Sequence, residues 1–190
     1  MLKRDLVKVF HSYNVCVGDS KFLEAKAKTQ FEWGVGAGVS LTQLKFKGPN
    51  IKFPNSVDPT FLLSLNTIFP RNMNVWSVYS EIQYKSYQTQ KSGYLIDMGY
   101  LRLNLAYRYT SIMSQIKPFG QFGFTIGHAI ASESNRDFNK RDQGAFVSVG
   151  ATQNKLGVEI RFEYTTGMAP SLPITSSVIS NYLLVSYKIN

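Results

Sequence analysis

The groups in this chain that bear on chemistry are two histidines, one cysteine and a scatter of acids and bases. His128 is followed by Ser132 and Glu133, the residue types of a nucleophile, base and acid set for acyl transfer. Their spacing is loose, and no neighbouring residue orients them. His11 falls in a stretch with helical spacing, where a surface histidine is the ordinary explanation. The histidines are far apart and Cys16 is the sole cysteine, so the reading contains no metal set, no cofactor and no internal disulfide. Glu159 and Glu163 alternate with Arg161, which makes them ion-pair members more simply than an acid/base pair.

These residues must be positioned by strands. From Gln30 onward the apolar period is two. The first strand sets Phe31, Trp33, Val35, Ala37, Val39 and Leu41 against Glu32, Gly34, Gly36, Gly38 and Ser40. A second lies near 60–69, and a third sets Trp76, Val78, Ile82 and Tyr84 against Glu81, Gln83 and Lys85. The fourth alternates Leu101, Leu103, Leu105, Tyr107 and Tyr109 with Arg102, Asn104, Ala106 and Arg108. A fifth runs near 121–127, a sixth near 144–151, a seventh from Leu156 to Tyr164, and the eighth from Leu183 to Ile189. Several exceed the five or six residues of an ordinary strand and approach the ~9–11 needed to cross a bilayer.

The connections sort by end. Pro70–Asn74, Thr110–Lys117 and Gln153–Lys155 are the shorter turns. The alternate connections, Lys47–Thr60, Gln88–Gly93, Ala129–Gln143 and Thr166–Ser177, are mostly longer. Outer-membrane barrels sort their loops this way, with the long ones outside the cell. The fold class expected is therefore all-β: an eight-stranded antiparallel up-and-down transmembrane β-barrel over residues 30–190, its long loops extracellular and its N-terminus periplasmic.

In lipid the greasy face points outward and the charged face inward. The charged face carries Glu32, Glu81, Lys85, Arg102, Arg108, Glu159, Arg161, Glu163 and Lys188. An eight-stranded barrel is only wide enough to be filled by side chains. Glu81, Lys85, Arg102, Arg108, Glu159, Arg161 and Glu163 are accordingly read as a lumen charge network that plugs the barrel, so the protein is expected not to be a porin. Asn135, Arg136, Asp137 and Asp142 fall in the longest loop, and the first three are candidate binding residues there.

Residues 1–29 read differently. Leu2, Leu6, Val9, Phe10 and Tyr13 recur at helical spacing, and Phe22–Lys28 suit a second helical turn. The segment is read as a short helical extension or the remnant of an upstream domain. Leu2–Phe10 is charged and has no apolar core, which places any export signal upstream of Met1. No apolar run approaches the ~20 residues of a membrane helix. The formal charge of +9 raises nucleic acid as a partner, but the basic residues form no stripe and accompany no binding motif. Anionic lipopolysaccharide and outer-membrane lipid are the partners expected instead, with another envelope protein a further one.

The stretch Lys117-Pro118-Phe119-Gly120-Gln121-Phe122-Gly123-Phe124-Thr125-Ile126-Gly127 resembles the Pro-aromatic-Gly strand of small outer-membrane β-barrel proteins of Gram-negative bacteria, PorT-like barrels of the Bacteroidetes among them. The Gly-rich Trp33–Ser40 and the final Tyr182–Ile189 are similar to theirs as well. The resemblance implies location and fold; some members assist secretion, and no activity carries over. The expectation is a membrane anchor, binding or assembly component and not an enzyme. A soluble or periplasmic barrel with its apolar face turned inward around an apolar ligand is the alternative. A lipid-modifying enzyme resembling a lipid A deacylase, built on His128, is third.

Overall fold

The computed structural model describes residues 29–46, 52–70, 75–91, 94–111, 115–132, 140–166 and 176–189. They form eight strands: β1 (Gln30–Phe46), β2 (Ser56–Ile68), β3 (Trp76–Lys91), β4 (Tyr94–Thr110), β5 (Ile116–Ser132), β6 (Arg141–Gln153), β7 (Leu156–Thr166) and β8 (Ser176–Lys188). Each pairs antiparallel with the next, and β8 returns to β1, so the sheet closes and leaves no edge. The strands run from 11 residues (β7) to 17 (β1, β4 and β5), long enough to span a bilayer at the usual tilt.

The alternation is expressed with the apolar row outside. Leu103 is 50% and Phe124 70% exposed, while Arg102 is 1% and Arg161 0%. In water this arrangement is upside down, since a bared apolar surface costs roughly 25 cal/mol per Å². It therefore overturns the alternative of a barrel with its apolar face turned inward. The outer apolar band is bordered by aromatics. At the turn end Trp76 stacks on Tyr107 with ring centroids 4.8 Å apart and meets Tyr109 edge-on at 4.8 Å. Tyr84 and Tyr164 lie outward nearer the other end, and such rings suit the two membrane interfaces.

Closure at the β1–β8 seam depends on small residues. A Cβ on Gly36 would sit 2.7 Å from the Val185 carbonyl oxygen and 2.9 Å from Leu62 Cδ1, so β1 reaches its neighbours only without one. The β6–β7 hairpin turns on Asn154-Lys155, with Gln153 paired to Leu156. Asn154 takes a φ of 53° there, the left-handed conformation that tight hairpins require and Asn tolerates.

Several boundaries differ from the sequence reading. β2 begins at Ser56 and not near Thr60, and Pro59 sits within it opposite Val39. The connection read as Gln88–Gly93 is largely strand: β3 and β4 pair out to Lys91 and Tyr94, with only residues 92–93 between them. Polar Gln88 and Thr89 hide this from a hydrophobic pattern, yet backbone pairing carries it and Gln88 Nε2 donates to Asp97 Oδ2 at 2.9 Å. Likewise β5 reaches Ser132 and β6 starts at Arg141. The helical segments expected over 2–13 and 22–28 lie outside the described residues.

Candidate functional site

Inward positions of all eight strands build three layers along the lumen. Nearest the long-loop end is an apolar cluster of Leu44, Phe46, Phe53, Tyr87, Ile96, Met98, Tyr100, Ala129 and Val178, all buried. Phe53 belongs to the connection after β1 and folds inward, meeting Phe46 edge-on with centroids 5.0 Å apart.

The middle layer is ionic and has two arginine hubs. Arg102 on β4 donates from Nη1 to Glu163 Oε1 at 2.7 Å and to Tyr182 Oη at 2.8 Å, and from Nη2 to Asp142 Oδ2 at 2.6 Å. Arg161 on β7 grips Glu81 with two bonds, Nη1 to Oε1 at 2.8 Å and Nη2 to Oε2 at 2.9 Å. Its Nε donates to Glu159 Oε1 at 2.8 Å. The fork of an arginine against a carboxylate gives the strongest and most directional of side-chain pairs. Glu81 is further held by Tyr79 Oη at 2.9 Å and Asn104 Nδ2 at 2.7 Å. Lys85 donates to Ser180 Oγ at 2.7 Å and lies beside the Tyr182 ring.

Below these, Arg108 is clamped between the Tyr79 ring, 3.8 Å from its guanidinium carbon, and the Phe119 ring at 4.2 Å. Its Nε donates to Gln121 Oε1 at 2.7 Å, and its Nη2 stands 3.8 Å from Glu159 Oε2. The Phe119 ring has room because it packs over Gly150 on β6. Beyond Arg108 the lumen widens into a cavity of about 600 Å³ that opens at the turn end. Lys188 and Glu32 pair at its mouth.

All seven residues read as a charge network thus line one lumen. Sequence reasoning missed two carboxylates beside them. Asp142, assigned to a loop, lies in β6 and is an Arg102 ligand; the signal was its two-residue step to Gly144 and Phe146. Asp58, also assigned to a loop, is buried in β2 and accepts from Ser56 Oγ at 2.7 Å. Asn135, Arg136 and Asp137 lie outside the described residues, as do His11 and Cys16.

His128 lies on the outer face opposite Leu101 and Arg141. An irregularity then shifts the β4–β5 register, pairing Gly99 with Ala131 but Tyr100 with Ala129. In that register the backbone of Ser132 stands opposite Met98. Among the described residues no group of three His, Cys, Asp or Glu is placed to hold a metal ion.

A closed eight-stranded cylinder that is apolar outside and ionised inside is a transmembrane β-barrel. The chain belongs to the outer membrane protein beta-barrel domain family, whose model matches residues 22–171. Solved structures of similar fold include Neisserial surface protein A (TM-score 0.53, 11% identity, covering 83% of this chain and 97% of that one). The outer membrane enzyme PagL is another (TM-score 0.56, 15% identity, 81% and 98%). A third is Ail, the attachment invasion locus protein of Yersinia pestis, in complex with the heparin analogue sucrose octasulfate (TM-score 0.50, 16% identity, 84% and 99%). At these identities the likeness is one of fold. No curated protein sequence matches the chain.

Proposed function

We propose that this protein is a non-porin outer-membrane anchor that works through its long-loop end, as a binding or assembly component. The observation that carries the reading is the filled lumen: an apolar layer over a layer in which Arg102, Arg161, Glu81 and Glu163 are each no more than 1% exposed. A barrel blocked in this way has its rims and outer surface left for function, and loops are where this fold varies. The reading gives the chain no catalytic part: His128 and Ser132 stand four positions apart along the extended β5, roughly 13 Å of backbone.

The long connections, Asn135, Arg136 and Asp137 among them, face the outside in this reading, and both ends of the barrel sequence face the periplasm. Exposed Lys45, Lys52, Lys140 and Arg141 gather at the long-loop end, where anionic lipopolysaccharide headgroups would meet them. The test is planar-bilayer recording of the purified barrel together with an epitope inserted at 133–139. The expected outcome is no stable conductance step and antibody labelling of intact cells; steady channels of defined size would overturn the non-porin reading. Lipopolysaccharide hydrolysis that is abolished in His128→Ala would overturn the non-enzymatic one.

A further inference from the structure

The turn-end cavity is chemically unlike the lumen above it. Among the described residues the closed part of the lumen buries five carboxylates (Asp58, Glu81, Asp142, Glu159 and Glu163) and four cations (Lys85, Arg102, Arg108 and Arg161), so its charges nearly cancel. Among the described residues the cavity is lined by four cations, Arg108, Lys117, Lys155 and Lys188, and one carboxylate, Glu32. Assigning Arg108 to Glu159 still leaves three cations against one acid around about 600 Å³, a volume within the ~300–1,000 Å³ range of small-molecule sites. Rings of Lys and Arg around an aqueous space favour anions, and low-dielectric walls concentrate the field.

The floor of this space is built. Arg108 is fixed by two aromatic rings and by Gln121, so it would lose little side-chain freedom in receiving a ligand. Its contact with Glu159, at 3.8 Å, is longer than the 2.6–2.8 Å contacts of Arg102 and Arg161 with their carboxylates. Of the rim lysines, Lys188 pairs with Glu32, and Lys155 Nζ donates to the Ile189 carbonyl at 3.4 Å and lies over the Tyr187 ring. The chain's own leading segment is no complement to this charge, since residues 1–28 hold six Lys and Arg against three Asp and Glu.

We propose that the turn-end vestibule is a binding site for a small multivalent oxyanion, phosphate- or carboxylate-bearing. Arg108 forms its floor, and Lys117, Lys155 and Lys188 form its rim. The site is separate from the long-loop surface, and its occupation does not depend on which way the barrel faces in the membrane.

The test is calorimetric titration of the full chain, folded in a zwitterionic amine-oxide detergent, with inorganic pyrophosphate and, separately, with citrate. The expected result is saturable binding of one anion per barrel that weakens steeply with added salt. Lys188→Gln and Arg108→Gln should each weaken it about tenfold, the factor for a lost charge-assisted hydrogen bond. Glu32→Gln should tighten it, a change in the opposite direction that mere loss of structure does not give. Heat-modifiable migration reports whether each variant is folded; if Arg108→Gln is not, Lys117→Gln and Lys188→Gln together carry the test, since both stand at the mouth. Lys45→Gln at the other end should leave binding unchanged. Absence of saturable binding of both probes overturns the proposal, as does affinity that ignores the vestibule lysines or falls with Lys45→Gln.

Discussion

Arg161 shows what a single buried charge does here. It is fully buried, binds Glu81 through two bonds and Glu159 through a third, and its guanidinium lies 4.6 Å from the Phe146 ring centre. Removing two charges from water is expensive, so such a pair adds little net stability over a well-packed apolar substitute. Removing one partner alone strands the other. Arg161→Met should therefore cost about 3–5 kcal/mol, read as a shift in the urea unfolding of the barrel in lipid vesicles. Arg161→Met combined with Glu81→Leu should recover much of that loss, because no charge is then left bare where Glu81 stood. Equal destabilisation in the single and double variants would show that the hub acts through packing and not through charge. At this scale the network was legible from alternation alone wherever a charge sat within a clear apolar stripe, as Arg102 does between Leu101 and Leu103. Asp142 and Asp58 were not, because each lies at a strand's polar start, where Gln143 or Pro59 interrupts the pattern that marks the face.

Strands are read here by period two, and membrane strands by which row the lipid selects. β4 and β7 were legible because their outer rows are unbroken, Leu101 to Tyr109 and Leu156 to Tyr164. The long β3–β4 hairpin was not: beyond Tyr84 its outer positions include Ser86, Gln88 and Asp97, polar enough to pass for a loop although the backbone ladder continues. That polarity has a consequence. Only the stretch between the aromatic rows belongs in hydrocarbon, so the cost of a charge must depend on where along β4 it is placed. Leu103→Arg, in the middle of the band, should destabilise the folded barrel in vesicles by roughly 2–4 kcal/mol, and Tyr109→Arg beside Trp76 by only ~0–1. Equal costs at both positions would deny that the Trp76–Tyr107–Tyr109 cluster marks a bilayer interface.

For the molecule as a whole, the two upper lumen layers close the barrel by different physics. The ionic layer fills space with groups that must stay paired, whereas the layer of Phe46, Phe53, Tyr87 and Tyr100 excludes water by its apolar surface. The two layers fill successive stretches of one lumen, so opening a path across the barrel means breaching both. Phe46→Ala with Tyr100→Ala should thin the apolar layer and leave the Arg102 and Arg161 hubs in place; Arg102→Ala should do the reverse. Each of these variants, recorded in planar bilayers after the folded fraction is isolated by its heat-modifiable migration, is expected to remain without stable conductance. All three substitutions together should admit water along the axis and give resolvable, flickering current. Conduction in Arg102→Ala alone would mean that the apolar layer does not seal. A silent triple variant that is still folded would place the barrier at the remaining hub of Arg161, Glu81 and Glu159 and at Arg108, Tyr79 and Phe119 beyond it toward the turn end.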